Sequence, residues 1–214
     1  MLLRSKNKFS AYALSIAAAL LFASPVYASL NLTLLRSPDI VSGFIDVSYD
    51  SSTDLFDASG FAFELNDDGI GIPEAIVGGT FDINASIDAF GVLGSGTITL
   101  GGRVPTLGFN TGTLLTGTVS DFGFPAIGDP LEFVFSVTGG DAAELFGPGR
   151  IGVILSESGF DGTFSSSFDN LIAQFPGTGD GFADVAPVVP LPGSLWLSLA
   201  GIGVSLIFRP RAKA

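Results

Sequence analysis

The chain has 214 residues, 47% of them apolar and only 14% charged, with no cysteine and no histidine. All 21 acids fall between Asp39 and Asp184, and residues 29–188 set only Arg36, Arg103 and Arg150 against them, so that stretch carries −18 within a total of −12. This excludes disulfides, thiol catalysis, a Ser-His-Asp triad and His- or Cys-ligated metal, and it excludes a nucleic-acid surface, which needs clustered Lys and Arg.

Residues 1–28 read as a secretory signal. Arg4, Lys6 and Lys8 supply the positive start and Ala11 to Phe22 the apolar stretch. Pro25 breaks the helix before Val26-Tyr27-Ala28, and cleavage by a signal peptidase is expected after Ala28. The apolar stretch is short for a membrane span.

Residues 29–176 form the acidic body and read as strands. The alternation is cleanest from Thr80 to Asp88, where Phe81, Ile83, Ala85 and Ile87 interleave with Asp82, Asn84, Ser86 and Asp88. Further strands are expected at 43–49, 60–65, 96–100, 113–119, 131–138, 151–155 and 162–168, with helical turns only near 141–146 and 169–175. Gly at 29 residues and Pro at 12 suit short strands joined by turns. The expected fold is all-β, a single jelly-roll-like β-sandwich.

Glu64, Asn66, Asp67 and Asp68 concentrate oxygen ligands before Gly69, a candidate calcium site. The spacing does not fit an EF-hand loop, and Asp-Gly also marks an ordinary hairpin turn. Glycoside hydrolysis needs only two carboxylates, but among 21 acids no pair stands out. No catalytic residues are assigned and no enzyme activity is expected. Sugar binding usually employs exposed flat aromatics. Between signal and tail the chain keeps one tyrosine, Tyr49, and 17 phenylalanines, a residue more often found in cores.

Residues 177–188 read as a flexible linker rich in Gly, Pro, Asp and Thr. Val189, Pro190, Leu191, Pro192 and Gly193 follow, an extended segment because each proline restricts itself and its predecessor. Leu191 to Phe208 contains no charge across 18 residues. As a helix it spans about 27 Å, close to the ~30 Å hydrocarbon core of a bilayer. Arg209, Arg211 and Lys213 then make a basic end that stays cytoplasmic, leaving the body outside the inner membrane. Ser194, Ser198, Gly201 and Ser205 run as a small-residue stripe along the span.

This arrangement over residues 189–214 resembles the PEP-CTERM class of sorting tails, in the variant named for Val-Pro-Leu-Pro-Ala. Val189, Pro190, Leu191 and Pro192 match that motif, and Gly193 stands where the variant has Ala. The resemblance implies an exosortase-type membrane enzyme as processing partner, the inner membrane as a transient anchor, and a bacterium that makes exopolysaccharide. The expected function is an exported surface or extracellular-matrix structural protein. A polysaccharide- or calcium-binding surface module is the alternative, with a glycosidase behind it.

Overall fold

A computed structural model describes residues 29–126, 128–171 and 179–189. The signal up to Ala28, residues 172–178, the motif from Pro190 onward, the span 191–208 and the basic end lie outside the described residues.

The fold is all-β. Ten strands are named in chain order: β1 Asp39–Asp50, β2 Leu55–Asn66, β3 Glu74–Ala75, β4 Val77–Ile87, β5 Leu93–Val104, β6 Phe109–Gly123, β7 Leu131–Gly139, β8 Arg150–Ser156, β9 Phe168–Asp169 and β10 Gly181–Pro187. Among the described residues a short α-helix, α1 Ala143–Phe146, fills the β7–β8 connection, where a helical turn is expected, and a single 3-10 turn, Pro105–Leu107, joins β5 to β6. Eight strands run as an antiparallel meander, β1-β2-β4-β5-β6-β7-β8-β10, and β10 returns to pair with β1. The sheet therefore closes into an up-and-down barrel. A jelly-roll sandwich would need two facing sheets and Greek-key crossovers, whereas here each barrel strand pairs with its successor.

Two other expectations change. Residues 181–187, expected as linker, form β10, hydrogen-bonded to β8 on one side and β1 on the other. Ala183 and Val185 point inward and are buried, alternating with outward Phe182 and Asp184. This is a strand period hidden in a short polar-looking stretch. Residues 162–168, expected as a strand, are irregular until β9 and lie across one rim of the barrel.

The barrel is filled. Eight strands enclose just enough room for side chains, and Ile45, Phe56, Phe81, Ile83, Ile98, Leu100, Phe133 and Phe135 occupy it with at most 1% exposure. Gly117 faces Phe135 so closely that a methyl group there would strike the ring and the Ser136 carbonyl. Much of the outer face is polar: Ser48, Asp57, Asn84, Thr97, Thr118 and Ser136 form one continuous row across β1, β2, β4, β5, β6 and β7. Apolar inside and polar outside is the reverse of a membrane-spanning barrel. Among the described residues no helix is long and apolar enough to cross a membrane.

The rim carrying the β1–β2, β4–β5, β6–β7 and β8–β10 connections is plugged by Tyr49, Phe122, Phe124, Phe160, Phe164 and Phe168. Phe160 and Phe164 centroids lie 4.8 Å apart, and Phe164 meets Tyr49 edge-on at 4.9 Å. Asn170 pins this plug to β1: its side chain accepts from Val47 N–H at 2.8 Å and donates to the Ile45 and Glu157 carbonyls. At the opposite rim the described C-terminal end meets the segment that precedes β1. Leu34 bridges Val188, and Val189 N–H donates to the Thr33 carbonyl at 2.8 Å.

Candidate functional site

The candidate site lies on the outer wall where β10, β1, β2 and β4 meet. It arises from a bulge. Between Gly43 and Asp46 the β1 strand carries one residue more than β2 opposite, and the extra residue, Phe44, sits at φ 50. The bulge resets the alternation, so Ile40 and Ser42 before it and Ile45, Val47 and Tyr49 after it all face inward. Phe44 is thrown outward at 56% exposure. Phe61 on β2 (55%) and Phe182 on β10 (53%) stand outward beside it, and Phe63 meets Phe44 edge-on at 5.8 Å. The rings of Phe63 and Phe182 flank Gly43, where a side chain would collide with both.

Next to this aromatic group is an open depression of about 410 Å³ lined by Phe44, Phe61, Asp46, Ser59, Gly60, Thr80 and Asp82. Asp46, Ser59 and Asp82 are in register on β1, β2 and β4, and Thr99 and Thr116 continue the row on β5 and β6. The wall thus offers flat apolar rings beside a regular ladder of hydroxyls and carboxylates. Such a surface can stack on a ring with apolar faces and accept hydrogen bonds from its rim.

Crowded acids perturb one another here. Burial pushes the Asp57 carboxyl up, and the Asp82 charge adds to the effect. Across the β1–β10 seam, Asp39 is pushed up to about 6, chiefly by burial and then by Asp184. Its Oδ1 is buried without a hydrogen-bond partner. Neither pair meets a cationic side chain: among the described residues the one ion pair is Arg150–Asp121, at 2.8 Å on the surface.

The expected calcium residues form a structured turn. Asn66 Oδ1 accepts from Gly69 N–H at 2.9 Å and its amide donates to the Arg36 carbonyl. Asp68 Oδ1 accepts from Ile70 and Gly71 N–H groups at 2.9 and 2.8 Å. The Gly71 bond first, and the Ile70 bond with it, hold the Asp68 carboxyl below its ordinary value. Glu64 stands back on β2, paired with Val41 and Ala75. Among the described residues no three acidic groups converge on a point that could hold a metal. Of the sorting motif only Val189 is described, at the barrel rim. Ala28, Pro190, Leu191, Pro192, Gly193, Arg209, Arg211 and Lys213 lie outside the described residues.

The exposed phenylalanines escape a reading of the sequence because composition assigns Phe to the core. The available signal was parity: Phe61 and Phe63 occupy the opposite phase from Ala58 and Ala62, which face inward. No family model matches the chain, and no curated protein or solved structure is significantly similar to it.

The Asp39 shift predicts a pH effect. Between the ordinary value of 3.8 and about 6, folded Asp39 retains a proton that the unfolded chain has released. Its contribution therefore favours folding on the acid side and is lost as pH rises through that window. Asp39→Asn removes the penalty, raising stability at pH 7.5 by about 1 kcal/mol after allowance for solvent screening. Thermal unfolding at pH 7.5 and pH 4 checks this: the gain should be large at the first and shrink at the second.

Proposed function

We propose that this chain is the precursor of an exported surface or extracellular-matrix protein, sorted through the tail that begins at Val189. The observation that carries the reading is the position of Val189, which leaves the barrel one residue after its strand-like pairing ends, bonded to Thr33 near the other described chain end. Export by an N-terminal signal and retention by a C-terminal span both require chain ends free of the core, and here Val189 leaves at a rim while residues 29–34 lie along the outer wall over Glu132 and Gly152. The motif read at Val189 to Gly193 begins at the rim with Val189, so an exosortase-type membrane enzyme would reach it while the barrel stays folded. Side chains of the described residues fill the barrel, so its outer wall is the surface it offers a partner.

The exposed aromatic wall favours one refinement, a module that holds exopolysaccharide. Phe44 and Phe61 would stack on sugar rings, and Asp46, Ser59, Thr80 and Asp82 would accept or exchange hydrogen bonds with the hydroxyls. The strongly negative body makes neutral or cationic sugars the favoured class, with divalent cations required to bridge an acidic polymer.

Intact mass of the protein from producing cells, with and without the exosortase-type enzyme, tests sorting. Enzyme-dependent loss of residues beyond the 189–193 segment is expected; a full-length tail in both strains contradicts it. For the refinement, Phe44→Ala with Phe61→Ala should cut retention on the cell's own neutral polysaccharide at least tenfold without changing Tm by more than a few degrees. Unchanged retention removes the aromatic wall from the account.

A further inference from the structure

Glu132 is a buried acid with an unusual set of partners. It points outward from β7, yet it is 5% exposed because the segment 29–34 lies over it. No cationic side chain reaches it among the described residues. Its two oxygens are held by the start of the body instead. Oε1 accepts from Leu32 N–H at 2.9 Å. Oε2 accepts from Asn31 N–H at 2.9 Å and from the Ser29 hydroxyl at 3.0 Å. Asn31 adopts φ 49, which turns two consecutive N–H groups onto one anion, and its side chain donates back to the Ser29 carbonyl at 3.2 Å. Leu32 and Leu34 continue over Gly152, where a side chain would collide with both. Thr33 and Leu35 then bond Val189 and Pro187.

This socket is complete for a carboxylate except for a countercharge. A buried acid is ordinarily paired, since isolated charge is costly away from water. The nearest source is Ser29, whose hydroxyl already touches Oε2. We propose that Glu132 is the receptor for the α-ammonium group created at Ser29 when the signal is removed, a proposal that rests on cleavage after Ala28. In that hydrolysis, water adds across the Ala28–Ser29 peptide bond. Ala28 departs as a carboxylate and the Ser29 nitrogen becomes an amine, protonated at neutral pH because α-amino groups titrate near 7.7–8.0. In the uncleaved chain that nitrogen is a neutral amide and Glu132 has hydrogen bonds but no ion pair. Cleavage adds the charge and locks the 29–35 strap over β7 and β8. The same strap holds Pro187 and Val189, so processing at one end steadies the rim from which the sorting motif departs.

The composition makes the test clean. Between residues 29 and 212 the chain has no lysine, so amine reagents reach only the new N-terminus and Lys213 where the tail is retained. Protein purified from producing cells is first weighed to identify its N-terminal residue. Wild type and Glu132→Gln are then melted with the amine free and acetylated. Acetylation should lower the Tm of wild type by about 3–8 °C and leave that of Glu132→Gln within 1 °C. Equal shifts in both proteins, or none in either, overturn the proposal. A second measurement needs no variant: the amine of folded wild type should acetylate at least tenfold more slowly than in denaturant, and equal rates overturn it too. An N-terminus other than Ser29 refutes the cleavage reading and the socket together. Ser29 with equal shifts refutes the socket alone, and neither result bears on the C-terminal tail, which its own mass reports.

Discussion

Ile40–Gly43 of β1 pair with Phe182–Val185 of β10, and this antiparallel seam turns an eight-strand meander into a barrel. Without it, β1 and β10 would leave two open edges, and Ile40, Ile45, Ala183 and Val185 would lose the wall that buries them. The seam joins the most distant strands in sequence, so the loop closed is nearly the whole body and its entropic cost falls on this one pairing. What offsets that cost is the filled interior, to which every strand of the ring contributes a side chain.

The seam also organises the two surfaces of interest. Phe182 of β10 and Phe63 of β2 stand outward on either side of Gly43, so the aromatic wall is complete only when the barrel is closed. At the far end of the same strands, Pro187 and Val189 bond the 29–35 strap, whose origin wraps Glu132. The cost of the seam is the Asp39–Asp184 crowding, two like charges brought together by register with an unpartnered oxygen between strands. In this fold the closure that builds the functional faces also places the body's most strongly perturbed carboxyl.

Much of the architecture was legible in the sequence. The alternation of Phe81, Ile83, Ala85 and Ile87 with Asp82, Asn84 and Ser86 emerges as β4 with that facing, and Leu131, Phe133 and Phe135 face inward from β7 as their spacing implies. Alternation reports which face of a strand is buried; it does not report whether a sheet folds over or closes, because both bury one face. Closure depends on the short stretch Gly181–Pro187, whose Gly, Asp and Pro content imitates a linker while Ala183 and Val185 carry the only inward signal. The candidate wall was hidden for a related reason. A bulge at Phe44 shifts parity by one residue, and local sequence shows no mark of it. The Glu132 socket joins residues about a hundred positions apart, a relation that only the folded chain reveals.

The most direct measurement of the account is native-state hydrogen exchange at the amides of Phe182 to Ala186. If β10 closes the barrel, these amides exchange only with global unfolding, as slowly as those of Ile45 and Val47 in β1. Exchange near the rate of an unstructured peptide, with β1 still protected, would mean that the stretch is a tether after all and that the barrel, its aromatic wall and the steadied rim do not exist as described.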